Sequence, residues 1–112
     1  MQLVLVTLIS VMQLVSNHRY LDVYTNNEEN KVYIHQLQIL NSDPNGLKER
    51  DLIIRQHSNS PGFRIELTGK DGSKKFSSTK ILNLTNLYGI IDAMPVRKQE
   101  ILEKNSKQTT NR

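Results

Sequence analysis

The chain has no cysteine. That removes disulfide staples, thiolate metal sites and every cysteine-based redox or nucleophilic mechanism in one step, and it leaves the redox compartment open. Tryptophan is also missing, and four tyrosines and two phenylalanines are the whole aromatic complement of 112 residues. With a hydrophobic share of 37%, a substantial part of the chain must be surface, loop or tail, and the length allows one domain near the lower size limit for a core without staples. Also absent is a cationic excess in the body of the chain. Residues 1–96 carry ten cationic and nine anionic side chains, and residues 97–112 carry five and two, so most of the net charge of +4 belongs to the C-terminal end. A surface that binds phosphate backbones concentrates basic residues on a folded face between stacking aromatics, so this distribution argues against nucleic acid as a partner.

The recognisable site motifs are missing too. Gly69-Lys70-Asp71-Gly72-Ser73-Lys74 lacks the spacing of a phosphate-binding loop and precedes a strand, so no helix N-terminus faces a phosphate. His18, His35 and His57 stand without the short spacings that set two metal ligands on one face, and no serine sits in a nucleophile elbow. No metal and no cofactor is expected. Asn83-Leu84-Thr85 has the form of a glycosylation sequon, but it overlaps a helix start.

What is present begins with an apolar block: Leu3, Val4, Leu5, Val6, Leu8, Ile9, Val11, Met12, Leu14 and Val15, with no charged side chain before Arg19. It reads as a secretory signal over residues 1–17, although a preceding Lys or Arg is lacking. A membrane span needs about 20 apolar residues, and Gln2, Thr7 and Gln13 interrupt a shorter run. The expected organisation is a leader at 1–17, a domain at 18–102 and a disordered polar tail at 103–112.

Leu21 and Val23 alternate with Tyr20, Asp22 and Tyr24, which predicts a first strand. Thr25-Asn26-Asn27-Glu28 has the form of a capping box and predicts a helix from there to about Leu40, with Tyr33, Leu37 and Leu40 on its apolar arc. The turn-rich run Asn41–Gly46 breaks it. Leu52-Ile53-Ile54 and the alternation of Phe63, Ile65 and Leu67 predict two more strands, joined by the short polar loop His57–Gly62. Asp71-Gly72 predicts a hairpin, with Ser73–Ser77 returning. Leu84, Leu87, Ile91 and Met94 predict a final helix capped by Asn83 or Thr85, and Pro95 ends it or starts another turn.

The segments Phe63–Gly72 and Ile91-Asp92-Ala93-Met94-Pro95-Val96-Arg97-Lys98 resemble a domain of unknown function. That domain is found at the C-terminus of sushi-repeat extracellular proteins, in a related extracellular matrix protein and as small stand-alone bacterial proteins. Leu47-Lys48-Glu49-Arg50-Asp51-Leu52 is similar to that family's Glu-Arg-Asp-Leu segment, and with Gln36 it extends the likeness to about residues 17–100. Arg50, Asp51, Gly69, Gly72 and Pro95 carry the motif. The resemblance implies an α/β fold, a small thioredoxin-like βαβββα sandwich with two parallel strands, an antiparallel hairpin and a closing helix. The family's usual second helix is missing, since only six residues join the second and third strands. Six extended residues reach about 20 Å and need to cross only about 10 Å, so the fold survives with one sheet face thinly covered.

Asp22 stands out, because a carboxylate in a central strand needs a partner. The expected function is a non-enzymatic, secreted or periplasmic, monomeric module that binds a protein or an envelope or matrix component. The expected binding surface is Lys70, Asp71 and Lys74 of the hairpin with Asp92 and Arg97 of the C-terminal corner. Asp92 and Arg97 also suit a structural ion pair. The competing expectation is a thiol-independent enzyme or small-molecule binder that uses Asp22 or Asp92 as a base, which requires a raised carboxylate pKa.

Overall fold

The computed structural model describes residues 16–110. The expected leader therefore lies, but for its last two residues, outside the described residues. The chain divides after Ile81 into two compact units. The first contains β1 (Arg19–Tyr24), α1 (Lys31–Asn41), α2 (Pro44–Glu49), β2 (Leu52–His57), β3 (Arg64–Thr68) and β4 (Lys74–Ser78). The second contains α3 (Leu84–Asp92) and α4 (Pro95–Thr110).

The architecture is mixed α/β, with a four-stranded sheet in the order β2-β1-β3-β4. β1 and β2 are parallel, as a helical crossover between them requires, and β3 runs antiparallel to both β1 and β4. One face of the sheet is the core: Leu21, Val23, Leu52, Ile65 and Leu67 are all buried. α1 covers that face with Tyr33, Gln36 and Leu40, and the Tyr33 hydroxyl donates to Oε1 of Gln56 on β2 at 3.0 Å. Burial raises the Tyr33 phenol above its ordinary value, with a further contribution from the charge of Glu28.

The helix does not start at a Thr25 capping box. Thr25 is fully buried, and its hydroxyl donates to the Asn27 carbonyl at 2.7 Å and accepts from the Asn27 amide, which closes a turn. The cap is Asn30, whose side chain accepts from the amides of Val32 and Tyr33. A short side chain that bonds its own backbone serves equally for a turn and for a cap, and here Thr25 took the first role and Asn30 the second. On α1 the buried position belongs to Gln36, while Leu37 is only half-buried.

The turn-rich run holds a helix of its own. Asp43 accepts from the Gly46 amide and Pro44 stands at the first helical position, so residues that end α1 also begin α2. β2 runs on past Ile54 to His57, which moves His57 from the expected loop into the sheet. Residues 58–63 then cross the end of β1, where the Ser60 amide donates to the Thr25 carbonyl at 3.1 Å.

In the second unit Asn83 caps α3 by accepting from the Asn86 amide at 2.8 Å, and Leu87 and Ile91 are fully buried. Pro95 opens α4. Residues from 103 onward, expected as a disordered tail, lie within that helix as far as Thr110. Glu103, Lys104, Lys107 and Gln108 are good helix formers that extend an existing helix without a new nucleation cost.

Candidate functional site

The second face of the sheet is polar, and its composition follows from strand register. The parallel pairing sets Asp22 beside Arg55 and Tyr24 beside His57. The antiparallel pairing sets Tyr24 beside Arg64 and Asp22 beside Glu66. All these side chains therefore rise on the side opposite Leu21 and Val23.

Asp22, only 4% exposed in the central strand, is the hub. Arg55 holds it bidentately, Nε to Oδ1 at 2.7 Å and Nη2 to Oδ2 at 2.9 Å, and His57 Nε2 stands 2.7 Å from Oδ1. Burial alone would raise the Asp22 carboxyl. The hydrogen bonds and charges of Arg55 and His57 outweigh it and hold Asp22 below the usual carboxylate range. The same pairing raises Arg55, against the opposing effect of its partial burial.

Aromatic rings extend this hub into a layer. The Arg55 guanidinium lies 4.1 Å from the Tyr20 ring centroid and that of Arg64 lies 4.4 Å from the Tyr24 ring. Tyr24 stacks on His57 with centroids 4.6 Å apart and an interplanar angle of 18°. Glu66 accepts from Lys74 at 2.8 Å and meets Arg64 at 3.5 Å. The Lys74 bond first, then the charges of Lys74 and Arg64 and a bond from Tyr24, hold Glu66 low against some desolvation. Arg55, His57 and Arg64 each remain 38–46% exposed. The layer is thus oriented from beneath and reachable from above.

The residues expected to bind are mostly occupied within their own unit. Lys70 is bonded to Asp51 at 2.8 Å with its side chain only 14% exposed. Asp71 accepts from the Ser73 amide, Lys75 and the Ser73 hydroxyl, and these hold its carboxyl well below the usual range. Lys74 belongs to the polar sheet face through Glu66. In the second unit Arg97, 4% exposed, pairs with Asp92 at 3.0 Å and with Glu100 at 3.7 Å, which pins the entry to α4.

The motif residues have architectural places. Arg50 Nη1 donates to the Gly46 carbonyl within α2, and the Arg50 carbonyl accepts from the buried Arg19 side chain at 2.9 Å. Asp51 turns the chain into β2 at φ 51°. At the hairpin, Gly72 takes φ 82°, and a Cβ on Gly69 would meet Lys75 Cε at 2.7 Å.

Arg55, His57, Arg64, Tyr20 and Tyr24 were not singled out by motif. The signal for them was period 2 itself: continuing β2 by three residues places Arg55 and His57 on the side of Asp22. Among the described residues no three His, Cys, Asp or Glu side chains form a group able to hold a metal ion, and no helix is long and apolar enough to cross a membrane.

No curated protein and no solved structure matches the chain. Residues 55–100, from the middle of β2 into α4, match a family model described as a domain of unknown function, DUF4174.

Proposed function

We propose that this chain is a non-enzymatic binding module whose recognition surface is the polar sheet face. The observation that carries the reading is the buried Asp22 carboxylate, which fixes Arg55 and His57 and through them a layer with Tyr20, Tyr24 and Arg64. Tyr and Arg held in defined orientations are the residue types that dominate binding energy at protein interfaces, because little side-chain entropy remains to be lost on docking. A protein partner fits such a surface, with carboxylates or carbonyls meeting the exposed guanidinium edges. The hairpin and the Asp92–Arg97 corner are then supports.

The chemistry of Asp22 speaks against the enzyme reading. A carboxylate held low by an arginine is a weak base at neutral pH, opposite to the tuning that general-base catalysis needs. The strand order, with parallel β1 and β2 followed by an antiparallel hairpin, supports the thioredoxin-like reading, and a secreted or periplasmic location rests on the apolar block at residues 3–15 and on the resemblance to a domain that occurs in extracellular proteins.

The test is affinity capture from native cells with wild-type chain, Arg64→Glu and Lys75→Glu, together with mass spectrometry of the bait's own N-terminus. The expected result is a partner lost with Arg64→Glu and kept with Lys75→Glu, on a bait that begins near Asn17. Loss with Lys75→Glu alone would return the site to the hairpin.

A further inference from the structure

β2 has one neighbour in the sheet, β1, and its other edge is open among the described residues. The Arg19 amide donates to the Asp51 carbonyl and the Thr25 amide to the His57 carbonyl. A parallel ladder alternates, so Asp51, Ile53, Arg55 and His57 turn their backbone groups to β1, while Leu52, Ile54 and Gln56 turn theirs outward. The opposite edge is defended. β4 carries Lys74 and Lys75, and its pairing with β3 is irregular between Leu67 and Thr68; charge and bulge are the usual guards against strand addition. β2 has no comparable guard at its start, where Ile53 is 38% exposed.

Beside the start of this edge lies a groove of about 390 Å³. Pro44, Leu47, Leu52 and Ile53 give it an apolar lining, and His18, Lys48 and Asp51 complete it. Its charges are unbalanced. Asp51 is neutralised by Lys70, whereas Lys48 has no acidic partner among the described residues, and the His18 ring beside it adds a hydrogen-bonding group.

We infer that the outer edge of β2 binds an extended peptide from another protein by strand addition, with one apolar side chain in the groove and an acidic residue against Lys48 and His18. The outward amides and carbonyls of Leu52, Ile54 and Gln56 supply the affinity that any extended chain shares, and the groove supplies the sequence preference. A second copy of this chain suits the edge less well. With Ile54 set opposite its counterpart, antiparallel pairing brings residues 58–62 to Lys48, and Ser58-Asn59-Ser60-Pro61-Gly62 contains no acid. This surface meets the polar sheet face only at Ile53, which stands beside Tyr20, and the two readings are told apart by Lys48→Glu here and Arg64→Glu there.

The experiment pans a displayed library of random twelve-residue peptides against the full chain. The most enriched peptide is then synthesised with a fluorescent label and titrated by polarisation. The expected enrichment is for apolar residues at alternate positions with at least one Asp or Glu. At saturation, exchange of the Leu52, Ile54 and Gln56 amides slows by about tenfold or more, because bonded strand amides exchange only on opening. Lys48→Glu weakens binding by about tenfold, the scale of one close charge pair, and Gln56→Pro, which deletes one outward N–H, abolishes it. Should the proline variant fail to fold by circular dichroism, the amide exchange and Lys48→Glu decide alone. No enrichment, binding that leaves these amides unchanged, or full affinity in Lys48→Glu overturns the inference. Protection of the same amides without peptide, rising with protein concentration, assigns the edge to a second copy and overturns it equally.

Discussion

Asp22 is the one side chain whose removal should disturb both stability and the polar face. Its two partners are half-exposed, so in Asp22→Asn they regain water, and the loss should fall near the lower range for breaking a buried charged hydrogen bond, about 1–3 kcal/mol. The sign of the pH dependence follows from the lowered carboxyl. A group whose folded pKa lies below its ordinary value, 3.8 here, contributes fully above that value and loses the contribution as pH falls through the folded pKa. The difference between wild type and Asp22→Asn in denaturant unfolding should therefore be largest at neutral pH and shrink steadily below about pH 4. A difference that does not shrink at all as pH falls below about 4 would mean that shape, not charge, holds the site. Asp22 was legible in the sequence as a carboxylate in need of a partner, because its neighbours Leu21 and Val23 fixed the strand. Its partners were not legible, because Arg55-Gln56-His57 has no apolar residue to continue the β2 pattern, and pairing across 33 residues depends on register that only the assembled sheet defines.

Within elements, three glycines separate conformational need from habit. Gly72 has φ 82° at the hairpin, so Gly72→Ala should cost about 1–2 kcal/mol in denaturant unfolding, the penalty for an L side chain in the left-handed region. Gly89 lies inside α3 with open space where a Cβ would stand. Gly89→Ala should instead raise the thermal midpoint, gaining up to about 1 kcal/mol of helix propensity. Gly62 likewise has open space and no positive φ, so Gly62→Ala should be neutral or slightly stabilising through loss of unfolded-state freedom. Element identity was readable wherever apolar spacing was strong, in β1, the start of β2, β3, the body of α1 and α3, whose cap is Asn83 of the two candidates, and at the Asp71-Gly72 turn that returns β4. It failed where polar residues decided. Asn30 rather than Thr25 caps α1, and Asp43-Pro44 starts α2 inside a run that reads as a break. In both places the same short polar side chains serve turns and caps, and the choice rests on which amides the surrounding fold leaves open.

For the whole molecule, the distribution of charge matters more than its sum. The polar sheet face sets Arg55, Arg64 and Lys74 against Asp22 and Glu66, so it offers directed donors on a nearly balanced field. The cationic excess lies elsewhere. Residues 104–112 hold Lys104, Lys107 and Arg112 and no acid, and the side chains from Leu102 to Lys107 are exposed or nearly so on α4. Ending the chain at Glu103 takes the net charge from +4 to +1 and leaves Arg97 with both Asp92 and Glu100. Because Lys104 to Lys107, the described side chains it removes, are exposed, the unfolding midpoint should stay within the range of a neutral surface change, about 0.5 kcal/mol. Elution from a heparin column should nevertheless move to clearly lower salt, since weak polyanion binding scales with the cations available to it. If the shortened chain instead kept its salt of elution, the anion-attracting surface would be the sheet layer, and the polar face would have to be read as a site for anionic polymers.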